Sequence, residues 1–379
     1  MVKSKKTILI LSVSAGTGHV RAAEALEQTA KLDFPELNAI HIDAMDYVPK
    51  FVRHLFSDSY IKIVNRYPAL WDFMYQKSDK VEARNSKLKK LRLTMECLNA
   101  IKLNKMINKI NPDHIICTHF LPSELLSHMT HKRKINIPCW VQVTDYHIHG
   151  LWVQPNHFGY FVASEEVAWR IRDYGVSADK IHVTGIPVSP VFFQNLSKRE
   201  CAAEIGISAD KTTLLIMSGG FGMGRIYELT EGLLSLNIDA QIIVLAGRNR
   251  VLLKRLQKLA TKYNNRFVPL GYTSQIERIM AVSDIAISKP GGLTTSECLA
   301  MNLPMIVISP IPGQEERNAN YLLENGAAMK ACDMVGLEFR IKELLNNKAK
   351  LDKIRQNMNT IARPNAAKAV LQTVLQDGV

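Results

Sequence analysis

Two stretches of this chain share one layout: a short apolar run, a glycine-rich loop, then an amphipathic helix. The first covers 8–30, with Ser14-Ala15-Gly16-Thr17-Gly18-His19 as its loop; the second covers 213–236, with Ser218-Gly219-Gly220-Phe221-Gly222-Met223-Gly224. Apolar runs this short have a strand's length, and glycines placed straight after them let the backbone turn sharply into a helix with free N–H groups. A chain that does this twice is constrained to β-α-β units and parallel sheets. More strand-length runs follow the same rhythm at 114–118, 140–143, 159–163, 241–246, 285–288 and 305–309, with helical periodicity at 251–262, 275–281 and 366–375. The expected fold class is α/β, with two doubly wound Rossmann-like domains facing across a cleft and ligands beyond the carboxyl ends of the strands.

A break falls at 185–212, where Gly185, Pro187 and Pro190 precede the polar stretch Asn195–Cys201. The expected division is 1–190 and 191–363, with the last helix, 364–379, crossing back to the first domain. At 379 residues the chain is long enough for two cores. Its net charge of +13 asks for an anionic partner. Most of that charge lies in one place. Residues 47–110 hold 14 Lys/Arg against 5 Asp/Glu, carry no strand pattern, and mix bases with Phe51, Phe56, Trp71 and Phe73. A basic, aromatic stretch of this kind suits an anionic membrane surface; the alternatives are a solvated basic face and a single-strand nucleic-acid platform, for which no recognised motif is present. No run approaches the ~20 apolar residues of a spanning helix. Lys3, Lys5 and Lys6 before Ile8–Leu11 imitate a signal peptide, but the run leads directly into a turn and a helix, so a first buried strand is expected. The six cysteines form no CxxC pair and read as buried hydrophobes in a reducing compartment.

Four segments carry chemistry. Gly16 and Gly18 begin a GxGxxG fingerprint, but the third position is Arg21, so no dinucleotide cofactor is expected. His19, at the helix start, is placed either to take a proton or to cap the helix. Lys289-Pro290-Gly291-Gly292-Leu293-Thr294 is a tight turn opening a helix, whose amides and dipole can hold a diphosphate, and Glu297 can accept from a ribose diol. Gln314, Glu315 and Asn318 put polar groups into a neighbouring loop. Gly219, Gly220 and Gly222 offer further backbone contacts, and Arg248 and Tyr272 end later strands where they can flank a base. Thr144-Asp145-Tyr146-His147-Ile148-His149 leads to Trp152; HxH without further spaced ligands is a poor metal site, so no metal is expected, and Asp145 is the candidate to orient a catalytic group.

Taken in order, GTGHVRAAEAL at 16–26, Thr144-Asp145 with Trp152, VTGIPV at 183–188, KPGGLTTSECLAMNLP at 289–304 and PGQEERNANYLLENGAA at 312–328 resemble the GT-B glycosyltransferases of family 28. Closest in pattern are the monogalactosyldiacylglycerol synthases and the processive diacylglycerol glucosyltransferases. The resemblance implies an inverting transfer of glucose or galactose from a UDP-sugar to diacylglycerol. It puts His19 as base beside Gly18, Gly291, Gly292, Leu293 and Thr294 at the diphosphate with Lys289, Glu297 at the ribose, and Gln314 and Glu315 at the hexose. Residues 47–110, with Lys87, Lys89, Lys90 and Arg92, would touch the cytoplasmic face of the cell membrane. Transfer of N-acetylglucosamine to another lipid-linked acceptor, UDP-sugar epimerisation and non-catalytic binding are the rivals.

Overall fold

The computed structural model describes residues 5–14, 16–47, 102–217, 226–236, 238–263 and 266–376. The expected glycine contacts Gly219, Gly220 and Gly222, and the aromatic and basic residues Phe51, Phe56, Trp71, Phe73, Lys87, Lys89, Lys90 and Arg92, lie outside the described residues. Contacts divide the chain into two compact units. One comprises Met1–Pro190, Pro312–Gln314 and Arg363–Val379; the other comprises Val191–Ile311 and Glu315–Ala362.

The first unit is built on strand β1 (Lys6–Ser12), whose Ile8, Leu9, Ile10 and Leu11 are all fully buried. Successive side chains of a strand point to opposite faces, so an unbroken apolar run marks a strand covered on both sides. Ile8 and Ile10 pack with helix α1 (Gly18–Asp33), while Leu9 and Leu11 pack against the helical residues 102–110 and helix α2 (Phe120–His131) on the other face. Strands β2 (Leu37–Asp43), β3 (His114–Cys117), β4 (Cys139–Gln142), β5 (Gly159–Val162) and β6 (Ile181–Val183) complete an all-parallel sheet in the order β2-β1-β3-β4-β5-β6. Helix α3 (Glu165–Asp173) lies between β5 and β6.

The second unit repeats the design. Strands β7 (Thr213–Met217), β8 (Gln241–Leu245), β9 (Phe267–Leu270), β10 (Ile285–Ser288), β11 (Met305–Ile308) and β12 (Ala328–Ala331) form the parallel order β12-β11-β10-β7-β8-β9. Its helices are α4 (Lys198–Ile205), α5 (Ile226–Ser235), α6 (Arg250–Ala260), α7 (Ile276–Val282), α8 (Gly292–Ala300), α9 (Gln314–Glu324), α10 (Met334–Asn346) and α11 (Lys348–Ile361). The final helix, α12 (Ala366–Gln376), belongs to the first unit, where Ala367, Val370, Leu371 and Val374 pack with α1 and the Ile8/Ile10 face of the sheet.

The strand order reverses between β1 and β3 in one sheet and between β7 and β10 in the other. Ligands of open α/β sheets bind beyond the carboxyl ends of the strands at such reversals. Past the strand ends in question stand His19 and Thr118 in the first unit and Lys289–Gly291 in the second. Four strands were not marked by apolar runs in the sequence: β2, β6, β12, and β9, which was expected only through its end at Tyr272. Each is an edge strand.

Candidate functional site

Beyond β1 the chain turns through Gly16, whose φ of 122° is open to glycine and strained for other residues, and enters α1 at Gly18. No side chain caps this helix, since Thr17 makes no capping bond. His19 is half-buried one residue inside it. Its Nδ1 is 2.8 Å from the carbonyl oxygen of Thr118, just past β3, and 2.8 Å from Oγ1 of Thr144, just past β4. The Thr118 hydroxyl donates back to the His19 carbonyl at 2.9 Å. The His119 ring meets the His19 ring edge-on with centroids 4.5 Å apart, and the buried Trp152 lies 6.0 Å from it. Burial pushes the His19 imidazole down to about 4, with the Thr118 hydrogen bond pulling the other way, so the ring is neutral at ordinary pH.

Asp145 is buried, and Gln314, counted with this unit, donates to its carboxylate. The contacts at His19 Nδ1 come from Thr118 and from Thr144, the residue before Asp145. His149 caps the short turn Gly150–Trp152, its Nδ1 accepting from Leu151 N at 3.1 Å. Among the described residues no group of three or more His, Cys, Asp or Glu is placed to hold a metal ion.

A second buried histidine in this unit, His157, has Nε2 2.8 Å from Ser123 Oγ, and burial pushes it to about 4 as well. Its folded value is depressed, so between about 6.5 and about 4 the unfolded chain binds more protons than the folded one, and stability falls as pH falls through that window. At about 1.4 kcal/mol per unit, His157 alone contributes roughly 3 kcal/mol. Urea midpoints measured at pH 7, 6, 5 and 4 should decline, and the decline should be visibly shallower in His157→Gln.

In the second unit, β10 ends in Lys289-Pro290-Gly291 and α8 begins. Gly291 is the N-cap at φ −63°, a conformation open to any residue, and it makes no side-chain cap. A Cβ added there would meet nothing within 4 Å. Neither backbone conformation nor packing therefore demands glycine; what the missing side chain leaves is open space above an uncapped helix start. Gly292, Leu293 and Glu297 are buried in the first turns of α8, and Thr294 and Lys289 are half-exposed. Asn318, expected to reach a ligand, is fully buried and donates from Nδ2 to the Pro290 carbonyl at 3.1 Å, so it braces the turn.

The loop after β11 contains Ser309 at φ 41° and Gly313 at φ 86°. Glu315 Oε2 accepts from Ile311 N at 2.7 Å, tying the loop to the start of α9. Burial raises the Glu315 carboxyl, while that hydrogen bond and the Lys289 charge act the other way. Arg248 lies over the Tyr272 ring with its guanidinium carbon 4.9 Å from the centroid, joining the ends of β8 and β9. Sequence reading missed Thr118 and His119 altogether. The available signal was a polar Thr-His pair directly after the apolar run of β3.

Two family models match the chain. One described as monogalactosyldiacylglycerol (MGDG) synthase covers residues 19–188, and the glycosyltransferase family 28 C-terminal domain covers 213–374. The processive diacylglycerol beta-glucosyltransferase of Bacillus pumilus is 29% identical over 379 residues, covering 99% of this chain and 96% of that protein. The Bacillus subtilis protein of the same description is 27% identical over 380 residues, with coverage of 99% and 96%. Among solved structures, Acinetobacter baumannii MurG has a TM-score of 0.64 at 13% identity, covering 98% of this chain and 99% of that one. The UDP-GlcNAc 2-epimerase of Neisseria meningitidis, bound to UDP-GlcNAc, has a TM-score of 0.63 at 15% identity, covering 98% and 100%. At these identities the structures establish a shared GT-B-like fold. With a family model on the sequence of each sheet, and relatives matched along its whole length, the chain joins a domain of the monogalactosyldiacylglycerol synthase family to a glycosyltransferase family 28 C-terminal domain and is a hexosyltransferase.

Proposed function

We propose that this enzyme transfers glucose or galactose from a UDP-sugar to diacylglycerol, with inversion at the anomeric carbon. The observation that carries the donor side is the uncapped start of α8, where Gly291 leaves space that the fold itself does not use. Amides at 291–294 would meet the diphosphate, together with the glycine loop at 218–224, Lys289 and the helix dipole. Glu297 would accept from the ribose, Gln314 and Glu315 would face the hexose, and Arg248 with Tyr272 would flank the uracil. The reading uses no metal or cofactor. On the acceptor side, neutral His19 takes the hydroxyl proton as the acceptor oxygen bonds to the anomeric carbon. The bond from that carbon to the β-phosphate oxygen breaks, UDP leaves with the electron pair, and the imidazolium later returns its proton to solvent. The similarity to diacylglycerol beta-glucosyltransferases supports that acceptor. The basic stretch 47–110 would hold the protein peripherally on the cytoplasmic membrane face, each Lys or Arg near the surface contributing about 1 kcal/mol.

Incubation with radiolabelled UDP-glucose, UDP-galactose and UDP-N-acetylglucosamine over anionic vesicles containing diacylglycerol tests this. Labelled lipid from either of the first two, with the opposite anomeric configuration to the donor, supports the proposal; no labelled lipid from any donor removes it. Conversion of UDP-N-acetylglucosamine without acceptor would indicate an epimerase instead. Gly291→Ala should raise the donor KM about tenfold or more, equivalent to roughly 1.4 kcal/mol, while the thermal midpoint stays at the wild-type value. A fall in both would make that glycine a folding requirement.

A further inference from the structure

We propose that Thr118 and Thr144 are positioning residues for His19, fixing its ring as the Nδ1–H tautomer and holding the imidazolium that forms when Nε2 takes the acceptor's proton. This deepens the reading of His19 as base and rests on it. A carbonyl oxygen can only accept, so the Thr118 oxygen 2.8 Å from Nδ1 requires the ring proton to sit on Nδ1, leaving the Nε2 lone pair available. The Thr144 hydroxyl oxygen, also 2.8 Å from Nδ1, then shares that proton as a second acceptor. Thr118 grips the residue twice, by its carbonyl at the ring and by its hydroxyl at the His19 carbonyl, 2.9 Å away.

Both threonines are buried, at 0% and 3% exposure, and each stands within two residues of a strand end, so the grip comes from the rigid part of the sheet. The rings of His119 and Trp152 lie against the same imidazole and oppose its rotation. When the acceptor proton moves to Nε2, the Nδ1–H bond stays intact and the new positive charge is shared with two oxygens. A hydrogen bond to a charged group is stronger than one to a neutral group, so this pair acts more strongly on the protonated ring than on the resting one. That is the differential binding from which a rate gain follows.

The test uses the full chain labelled with 15N-histidine, in a long-range 1H–15N spectrum, with the His19 signals identified by their absence in His19→Gln. The wild type should carry its proton on Nδ1. Thr144→Val should lower kcat about tenfold or more with the donor KM unchanged, and Thr144→Ser, which restores the hydroxyl, should return kcat to within about threefold of wild type. An Nε2–H tautomer in the wild type overturns the proposal, as does wild-type kcat in Thr144→Val or an equal loss in Thr144→Ser. Should Thr144→Val fail to fold, the wild-type spectrum still decides. Wild-type activity in His19→Ala would instead remove the base reading, a failure the tautomer spectrum does not share.

Discussion

His19→Ala should lower kcat by about 1,000-fold while leaving the donor KM within about threefold of wild type; a positioned general base contributes about 100- to 10,000-fold. The separation of the two effects follows from placement. His19 stands at the strand reversal of the first sheet, while the turn proposed to hold the donor diphosphate follows β10 of the second. Removing the imidazole therefore takes away the proton acceptor and leaves the α8 turn intact. His19 is half-buried as a residue but its imidazole is enclosed by His119 and Trp152, so the urea control must show that the folded state survives the loss of the ring. Steady-state kinetics against both substrates, with a urea titration as control, checks this. A drop of less than tenfold in kcat, or a loss confined to KM, would mean that the proton leaves by another route.

Gly185→Val should destabilise the first unit by about 3–5 kcal/mol. Gly185 sits at φ 94°, where a β-branched residue is strained, and its neighbours leave no room. A Cβ there would lie 2.4 Å from Cβ and 2.9 Å from Cγ of Arg363, and 3.2 Å from Cβ of Ala366. The backbone cannot easily retreat, because Gly185 N donates to Val162 O at 2.9 Å and Gly185 O accepts from Gln142 Nε2 at 3.1 Å. Either the β6 exit loop or the entry to α12 must shift, and overpacking of this kind typically costs about 1–3 kcal/mol on top of the backbone strain. All four tryptophans of the chain, Trp71, Trp140, Trp152 and Trp169, fall in the segment Met1–Pro190, so tryptophan fluorescence in urea reports on this unit. Gly175→Ala, in the same unit, is the comparison: its φ of 88° is also positive, but a Cβ there meets nothing within 4 Å, so strain acts alone and the loss should be nearer 1 kcal/mol.

The edge strands explain what the sequence could and could not reveal about the fold. The eight strands read from apolar runs all lie inside the two sheets, where both faces are covered and most residues are hydrophobic. At the edges that requirement lapses. β2 reads Leu-Asn-Ala-Ile-His-Ile-Asp with most of its residues half-exposed, and β6 is Ile-His-Val with none buried. A site shows the same contrast. Glycine turns announce themselves because few other residues can do their job, so the loops at Gly16–Gly18 and Gly291–Gly292 were legible. Thr118 was not, since a threonine near a strand end is commonplace; Thr144 was legible as part of the Thr144-Asp145 loop but not as a partner of His19, and only the fold brings the two threonines to that ring across 99 and 125 positions of sequence. Asn318 was legible as a polar residue close after Gln314 and Glu315, and its amide donates to the Pro290 carbonyl.

The docking of α12 on α1 has a consequence for how the chain is made. Synthesis proceeds from the amino end, and domains generally fold as they emerge. Here the first unit cannot do so completely: Ala367, Val370, Leu371 and Val374 cover the face formed by Ile8, Ile10, Ala23 and Leu26, and they leave the ribosome only after the second unit. Until then that apolar face is uncovered while the whole second unit, Val191–Ile311 and Glu315–Ala362, is being translated. The second unit can be finished before the first, and the helix that carries His19 takes its final support only after residues 366–374 have been made.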